Sequence, residues 1–410
     1  MATENPTPKP VDVPLGDRVV EETSDTDWPL LPPESAQAPL VSVVLPTLNE
    51  ERGIRECIAS VQSALRELDV TGEIIVSDSS TDDTPAIARA MGARVVEPDG
   101  AGYGYAYRYA FEHARGEYIV MGDADTTYDF RELPALFALV ADGDADIAMG
   151  SRLKGEIQPG AMPALHRYVG NPMLTRFLNT FYDADVSDAH SGFRVFTRDA
   201  LDRLDLTSNG MEFASEMVMD ASTKGLTIAE TPITYSRREG DATLDSFHDG
   251  WRHVKFMLKN SPGYLFLAPA VGFALLGVLT IVVSLTGQRF AGLNFGTHTL
   301  VAGGFLCVIG FQVGSLGLFS AVATDPIRRA ESPIVDGILE RFSLEHGAAF
   351  GLALTGLGVA YIVMMFSRWV ASGYTALPFI GWDIIAFTAL IIGVQTVFHS
   401  FFLSMLGDDE

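Results

Sequence analysis

Two aspartates one residue apart follow a strongly apolar stretch of the chain. Residues 122–130 read GDADTTYDF and come directly after Glu117–Met121, a run typical of a buried strand. Asp123 and Asp125 share a face of an extended segment because a single small residue separates them, so both carboxylates can point at one ion. Oxygen ligands of this kind suit Mg²⁺ or Mn²⁺, and such a cation can also hold a diphosphate. Aspartates at a strand end can equally cap a turn, so the pair alone leaves both interpretations open.

The elements around this pair alternate between two patterns. From Leu40 to about Tyr235, short β-rich runs alternate with amphipathic helical patterns, which predicts an α/β domain with a mostly parallel sheet. The predicted strands are Val41–Leu45, Glu73–Ser77, Arg94–Glu97, Glu117–Met121 and Asp146–Met149, and the predicted helices lie at about 50–68, 82–91, 103–115 and 132–141. Ligands of such a sheet bind beyond the carboxyl ends of its strands.

Composition limits the classes of function. The 410 residues are too many for one ordinary core, so two or more units are expected. The formal net charge of -24 argues against nucleic acid as a partner and is typical of proteins that work in high salt. The two cysteines, Cys57 and Cys307, lie far apart in apolar patterns, which indicates neither a disulfide framework nor a thiolate metal site.

After Tyr264 the sequence contains four long apolar segments, at approximately 264–286, 299–323, 347–370 and 379–406. Each is long enough to cross about 30 Å of hydrocarbon, which predicts four transmembrane helices. Buried helices of a soluble domain would require four such runs with almost no charge on any face. Basic residues gather before the first segment and between the second and third, so the positive-inside rule predicts a cytoplasmic N-terminal domain and C-terminus.

Four regions follow from these patterns. Residues 1–38 are acidic and lack apolar periodicity, which predicts a disordered tail. Residues 39–240 form the α/β domain, and residues 241–262 place apolar and basic residues on a helix typical of a membrane interface. Residues 263–410 form the predicted transmembrane domain of four spans.

Several motifs in chain order carry a resemblance to a known family. The runs VVLPTLNEE, VSDSSTDDT, GDAD and MGSR resemble the inverting family 2 glycosyltransferases of GT-A fold. The stretch from LHRYVGN through VSDAHSGFRVF is similar to the dolichyl-phosphate or polyprenyl-phosphate hexose synthases, and the likeness covers about residues 40–262. It implies transfer of a hexose from a nucleotide sugar of the UDP-glucose or GDP-mannose type to dolichyl or polyprenyl phosphate. It also implies Mg²⁺ or Mn²⁺ as the cofactor. With the orientation that the positive-inside rule predicts, the site would lie on the cytoplasmic face of the membrane.

The resemblance assigns roles to particular residues. Those implied to hold the nucleotide sugar are Pro46, Thr47, Glu50, Asp78 and Asp123, with Asp123 and Asp125 as metal ligands. Those implied to hold the acceptor phosphate are Arg167, Asn171, Ser191, Arg194, Arg237 and Arg238. Asp125, Asp188 and Arg152 are implied to act at the reaction centre. Guanidinium groups suit a phosphate because their fork binds two oxygens at once.

The chain departs from the family pattern at a few positions. Leu48 and Ser77 replace an aromatic residue and an aspartate of many relatives, so the nucleotide stays open. Thr127 stands where relatives often have glutamine, which leaves the third metal ligand open. Where relatives often read G-x-S-K-L, this chain has GDATL; it lacks the lysine, for which Arg237 or Arg238 can substitute.

Two other classes of function remain as alternatives. A processive polysaccharide synthase would require a Q-x-x-R-W motif, and none occurs between Asp125 and Tyr264. A non-catalytic membrane scaffold would not need the two aspartates, and both are present. The run DGAGYGYAYRYAF has alternating glycines but lacks the context of a dinucleotide fingerprint, so we predict only a loop leading into the third helix.

Overall fold

The computed structural model describes residues 30–239, 255–256, 260, 263–286, 289–290, 293–323, 344–375 and 380–407. The chain divides into two compact units, Met1–Val254 and Lys255–Glu410. The predicted interfacial helix at 241–262 lies largely outside the described residues, as does the predicted tail up to residue 29. The described chain before residue 38 already contacts the sheet, since the Leu31 N–H donates to the Gly72 carbonyl at 2.8 Å.

A seven-stranded sheet forms the centre of the first unit. Its strands are β1 Val41–Thr47, β2 Gly72–Asp78, β3 Arg94–Val96, β4 Tyr118–Met121, β5 Ile147–Ile157, β6 Arg194–Thr197 and β7 Ile228–Tyr235. Their order is β3-β2-β1-β4-β6-β5-β7, and only β6 runs antiparallel to its neighbours. The mostly parallel α/β sheet predicted from the sequence is therefore confirmed.

Helices connect these strands. They are α1 Ile54–Leu68, α2 Thr84–Ala90, α3 Tyr103–Phe111, α4 Leu133–Ala141, α5 Asn171–Tyr182, α6 Arg198–Arg203 and α7 Phe213–Thr223, with short 3₁₀ and π turns at Phe130–Glu132 and His166–Gly170. Helix α1 shows why they form: Ile54, Ile58, Val61 and Leu65 recur at helical spacing and are fully buried. Burying each such side chain stabilises the fold by about 1.5–3 kcal/mol.

The predicted strands and helices are confirmed, with small shifts at their ends. Strand β5 is longer than predicted because it continues beside β7 past an irregularity between Ser151 and Glu156. Strands β6 and β7 were not predicted. The four residues of β6 are too few for their pattern to separate a strand from a loop, and only pairing with β4 and β5 defines it.

Four long helices dominate the second unit: α8 Ala268–Thr286, α9 Thr297–Ala323, α10 Leu344–Ala371 and α11 Ile380–Gly407. All four are long and apolar enough to cross a membrane, with mean hydropathies from 1.8 to 2.5, as predicted. Glycines allow close helix packing, because a Cβ on Gly277 would lie 2.8 Å from the Gly303 carbonyl oxygen. His399 of α11 and Ser315 of α9 are joined by a hydrogen bond of 2.9 Å.

Candidate active site

Strands β2, β1 and β4 lie side by side, so their carboxyl ends share one edge of the sheet. At this edge Thr47 pairs with Asp78, and the Thr47 Oγ1 hydroxyl donates to Asp78 Oδ1 at 2.7 Å. Ser80 donates to the same oxygen at 2.6 Å. Pro46 lies opposite Ser77 in the same register. The structure thus brings together three of the residues predicted to hold the nucleotide.

The loops after β1 and β2 are joined by further hydrogen bonds. The Asn49 N–H donates to Ser80 Oγ at 2.7 Å, and the Thr81 N–H donates to Asn49 Oδ1 at 2.9 Å. The Glu50 N–H donates to Thr84 Oγ1 at 2.9 Å. Asn49 has a left-handed backbone, with φ of 60°, which asparagine tolerates better than most residues. Together the two loops form one hydrogen-bonded rim.

Asp123 and Asp125 lie just beyond β4, beside this rim. Asp123 Oδ1 accepts a hydrogen bond of 2.9 Å from the Tyr103 hydroxyl. Asp125 Oδ1 accepts from the Thr127 hydroxyl at 2.5 Å and from the Thr127 N–H at 3.2 Å. Each carboxylate therefore accepts these hydrogen bonds through its Oδ1 oxygen. Thr127 supports Asp125 in this arrangement.

Arg238 connects the two groups of carboxylates. Its guanidinium donates to Glu50 Oε1, and its Nη1 lies 3.7 Å from Asp125 Oδ2. Arg238, one of the residues predicted to bind the acceptor phosphate, therefore lies between a predicted nucleotide-binding residue and a predicted metal ligand. Glu50 and Arg238 are 188 residues apart in the sequence.

The electrostatics of the cluster favour an added cation. Burial, together with the neighbouring Asp125 charge, raises the pKa of Asp123 to about 7. Burial also raises the pKa of Glu50 to about 6, with Arg238 opposing the shift. Among the described residues no third His, Cys, Asp or Glu joins a metal-binding group. The donor set fits Mg²⁺ or Mn²⁺ if phosphate or water oxygens complete the shell.

Asp188 and Arg152 form a buried ion pair. Arg152 Nε and Nη2 donate to the two oxygens of Asp188 at 2.7 and 2.8 Å, and the Arg152 N–H donates to Oδ2 at 3.1 Å. Burial opposes ionisation of Asp188, but the Arg152 charge and its hydrogen bonds outweigh burial and lower the pKa of this carboxyl. The Arg152 guanidinium also lies 5.2 Å from the centre of the Tyr235 ring.

A further carboxylate, that of Glu230, holds the loop that carries Asp188. The Ser187 and Asp188 N–H groups donate to Glu230 at 2.8 and 3.1 Å, and Lys154 Nζ lies 2.9 Å from the same side chain. Glu230 lies on β7, so the strand fixes the loop directly. Sequence reasoning did not find this residue, because a glutamate on a short apolar strand carries no motif.

Arg194 has a fully buried guanidinium. Its Nε donates to the Ser191 carbonyl at 2.9 Å, and its Nη2 donates to the carbonyls of Ala189 and Ala214 at 3.0 and 2.9 Å. Burial lowers the pKa of Arg194 to about 10. Arg194 Nη1 and Ser191 Oγ have no hydrogen-bond partner within the described part of the chain. Arg194 thus connects the loop after Asp188 to helix α7.

The remaining predicted residues lie on other elements. Arg167 stacks 5.4 Å from the ring of Tyr168, and Asn171 Nδ2 donates to Met162 Sδ at 3.5 Å. These contacts, all within residues 162–171, do not link the pair to the carboxylates. Arg237 is exposed and lines a cavity of about 460 Å³ between α1 and residues 126–131.

Comparison with known proteins supports this picture. Residues 42–205 match the family described as glycosyl transferase family 2, and residues 318–407 match the family 2 C-terminal transmembrane region. The chain is 54% identical over 413 residues to the low-salt glycan biosynthesis hexosyltransferase Agl6 of Haloferax volcanii, with 100% of both chains covered. The chain therefore belongs to glycosyltransferase family 2. The predicted class, a multi-pass membrane glycosyltransferase, is confirmed.

Two other proteins are similar over part of the chain. The dolichyl-phosphate hexose transferase of Haloferax volcanii is 35% identical over 219 residues, which cover 53% of this chain and 92% of that protein. A crystal structure of glucosyl-3-phosphoglycerate synthase from Mycobacterium tuberculosis is 26% identical, with a TM-score of 0.44, and covers 54% of this chain and 78% of the other. The strand order of this chain itself establishes the GT-A-like architecture.

Proposed function

We propose that this glycosyltransferase moves a hexose from a nucleotide sugar to dolichyl or polyprenyl phosphate. The observation that carries the proposal is the convergence of Thr47, Asp78 and Glu50 with Asp123 and Asp125 at one edge of the sheet. The names of two relatives, a hexosyltransferase and a dolichyl-phosphate hexose transferase, support the hexose and the acceptor.

At the donor side, carboxylates suit a sugar nucleotide because ribose hydroxyls and a base N–H are hydrogen-bond donors. Asp78, Thr47, Pro46 and Glu50 take this role in the proposal. A divalent cation held by Asp123 and Asp125 would neutralise charge on the departing diphosphate. Arg238, placed between Glu50 and Asp125, adds a fixed positive charge at the same point.

The acceptor needs little acid–base help, because a lipid phosphate is already anionic near neutral pH. Its oxygen attacks the anomeric carbon as the bond to the nucleoside diphosphate breaks, which inverts the configuration. Arg167, Asn171, Arg237 and Arg238 take the role of phosphate ligands. The buried contacts of Ser191, Arg194, Arg152 and Asp188 favour a role in shaping and charging the floor of the site.

An apolar patch supports a lipid acceptor. In residues 30–239 the exposed large hydrophobic side chains are Leu48, Leu165, Tyr168, Val169 and Met173. All but Leu48 lie within nine residues, 165–173, and surround Arg167 and Asn171. A short apolar surface beside phosphate-binding groups suits an acceptor with a charged head and a hydrocarbon chain.

The catalytic domain is proposed to lie on the cytoplasmic face because basic residues flank the spans on that side. Those before the first span are Arg237, Arg238, Arg252, Lys255 and Lys259, and those between the second and third are Arg328, Arg329 and Arg341. The proposed organisation keeps a catalytic domain at 39–240, an interfacial helix at 241–262 and a membrane domain at 263–410 after the tail at 1–38. A site at this face would meet a soluble donor and a lipid acceptor at once.

The test is transfer of label from UDP-glucose and, separately, GDP-mannose into a lipid that is extractable in organic solvent and labile in mild acid. Membranes containing the wild type, Asp125→Ala and the control Asp144→Ala would be compared with dolichyl phosphate, Mn²⁺ or Mg²⁺ and high salt. Asp144 is exposed and lies between α4 and β5. We expect metal-dependent product from one donor, lost only in Asp125→Ala. A polymeric product would favour the processive synthase, and no product from any nucleotide sugar would contradict the proposal.

A further inference from the structure

The glycine-rich run AGYGYAYRYAF gains a role from its position in the fold. Helix α3 begins at Tyr103, between two glycines. Gly102 has φ of +123°, and a Cβ there would lie 2.1 Å from the Asn209 carbonyl oxygen. A Cβ on Gly104 would lie 2.4 Å from the Ser208 carbonyl oxygen. These glycines therefore let the first turn of α3 press directly onto the backbone before α7.

This close approach directs two tyrosines at the segment that carries the aspartates. The Tyr107 hydroxyl donates to the Gly122 carbonyl at 2.9 Å, and the Tyr103 hydroxyl donates to Asp123 Oδ1, also at 2.9 Å. Their rings meet edge to face with centres 5.0 Å apart, and Tyr107 stacks on Phe213 at 5.6 Å. One tyrosine therefore fixes the backbone, and the other fixes the carboxylate.

A glycine closes the opposite side of the same carboxylate. A Cβ on Gly192 would lie 3.1 Å from both Asp123 Oδ2 and the Tyr103 hydroxyl, and 3.4 Å from the Tyr128 hydroxyl. The Gly192 N–H donates to Tyr128 at 2.8 Å, which holds the loop in place. Asp123 is therefore held between α3 and the loop after Asp188, and Oδ2 accepts no hydrogen bond within the described residues.

We propose that Tyr103 is a positioning residue for the donor site. Its hydroxyl donates to Oδ1 and selects one orientation of the Asp123 side chain, in which Oδ2 would be available to a divalent cation. Without the hydroxyl the carboxylate can rotate. Restricting that rotation when a cation binds then costs part of the binding free energy. This inference rests on the proposed function, because it assumes that Asp123 is a metal ligand.

The test compares Tyr103→Phe with two matched variants in the full-length protein. Tyr105→Phe removes a hydroxyl from the same helix that contacts the exposed Asp99, and Tyr107→Phe removes the contact with the Gly122 backbone. Mn²⁺ binding would be measured by electron paramagnetic resonance with UDP or GDP present, alongside the Mn²⁺ dependence of transfer and the thermal unfolding temperature.

We expect Tyr103→Phe to weaken Mn²⁺ binding by about 10-fold or more, as the loss of a partner behind a metal ligand commonly does. Transfer should recover as Mn²⁺ is raised, and Tyr105→Phe should match the wild type. Unchanged Mn²⁺ affinity in Tyr103→Phe, with or without a lower unfolding temperature, would overturn the inference. If the wild type itself bound no Mn²⁺ and transferred no sugar, the proposed function would fail as well.

Discussion

Arg238 is shared by Glu50 and Asp125, and the negative charge around it exceeds what one arginine neutralises. The raised pKa values of Glu50 and Asp123 have one principal cause, burial of carboxylates at the edge of the sheet. A site of this kind stores unfavourable electrostatic energy that a dication and a diphosphate can relieve together. At the residue scale, the free protein is therefore expected to be less stable than the protein with a dication and a diphosphate bound.

Replacing Arg238 tests its role between the carboxylates. We expect Arg238→Gln to lower kcat/KM for transfer by about 10²–10³-fold, the range found when one preorganised charge-stabilising donor is removed. Arg131→Gln is the control, because Arg131 is exposed and pairs with Asp129. Steady-state rates at saturating metal would measure both. Equal rates for the two variants would show that Arg238 does not contribute to transfer.

Glu50 gives the stability of the protein a pH dependence of defined sign. Its pKa rises from 4.5 to about 6 on folding, so the folded state binds the proton more tightly than the unfolded state does. The contribution of Glu50 to stability is then greatest below pH 4.5 and falls as pH rises through about 6, by about 2 kcal/mol for a shift of this size.

Glu50→Gln removes this titration. Between pH 4.5 and 7 the stability of the variant, relative to the wild type, should therefore increase. Thermal unfolding of the detergent-purified proteins without metal or nucleotide would show it. A stability difference that stays constant across this range, or changes in the opposite direction, would contradict the raised pKa of Glu50.

At the scale of elements, one loop connects four parts of the first unit. The segment from Val186 to Arg194 is held by Glu230 of β7, by Arg152 of β5 and by Tyr128. Arg194 joins it to the carbonyl of Ala214 in α7. Strand β6 begins at the end of this loop, at Arg194. Pairing of β6 with its antiparallel neighbours therefore places the loop, at Gly192, against Asp123.

Breaking the buried ion pair should destabilise this arrangement. Asp188→Asn leaves the guanidinium of Arg152 in a buried place without a counter-charge, which costs about 3–5 kcal/mol. Asp185→Asn is a close control, because Asp185 lies three positions earlier, is exposed and has a left-handed backbone that asparagine also adopts. The thermal unfolding temperature should fall strongly for Asp188→Asn and stay unchanged for Asp185→Asn. Equal unfolding temperatures would show that the pair contributes nothing to the fold.

The apolar patch at 165–173 gives a second prediction for an element. We expect Leu165→Ser combined with Met173→Ser to raise KM for a long-chain polyprenyl phosphate by about 10-fold or more, since two exposed apolar contacts with the lipid are lost. KM for the nucleotide sugar and for a short-chain acceptor should stay unchanged. Thr180→Ala, on the exposed part of α5, serves as the control. An equal rise in KM for the short-chain acceptor would show that the patch affects binding of the phosphate and not of the hydrocarbon chain.

At the scale of the whole molecule, the chain joins an acidic α/β unit to four apolar helices. The relative with 54% identity matches over the complete length of both chains, so the two units occur together in that protein too. The second unit has four membrane-length helices, where one would suffice as an anchor, and close contacts at glycines such as Gly277 and Gly303 join neighbouring helices.

The proposed orientation can be checked with single cysteines in a variant lacking Cys57 and Cys307. Thr375→Cys lies between α10 and α11, and Asp144→Cys lies in the first unit. The positive-inside rule predicts that a membrane-impermeant maleimide labels Thr375→Cys in intact cells and labels Asp144→Cys only after lysis. The opposite labelling pattern would place the active site outside the cell.

The sequence by itself determined the classes of element and much of their extent. Strands β1 to β4, the start of β5, helices α1 to α4 and the four apolar helices follow from periodicity and length, which are local properties of the chain. The two aspartates of GDAD could be assigned to a strand end, and the motifs in chain order resembled the family that the comparisons confirm.

Only the tertiary structure decided which side chains meet. Glu50 reaches Arg238 across 188 residues, and Arg152 reaches Asp188 because β5 and the loop before β6 lie side by side. Tyr103 approaches Asp123 because two glycines let α3 press on the backbone before α7. Such contacts depend on strand order and on close backbone approach, and neither leaves a periodic signal in the sequence.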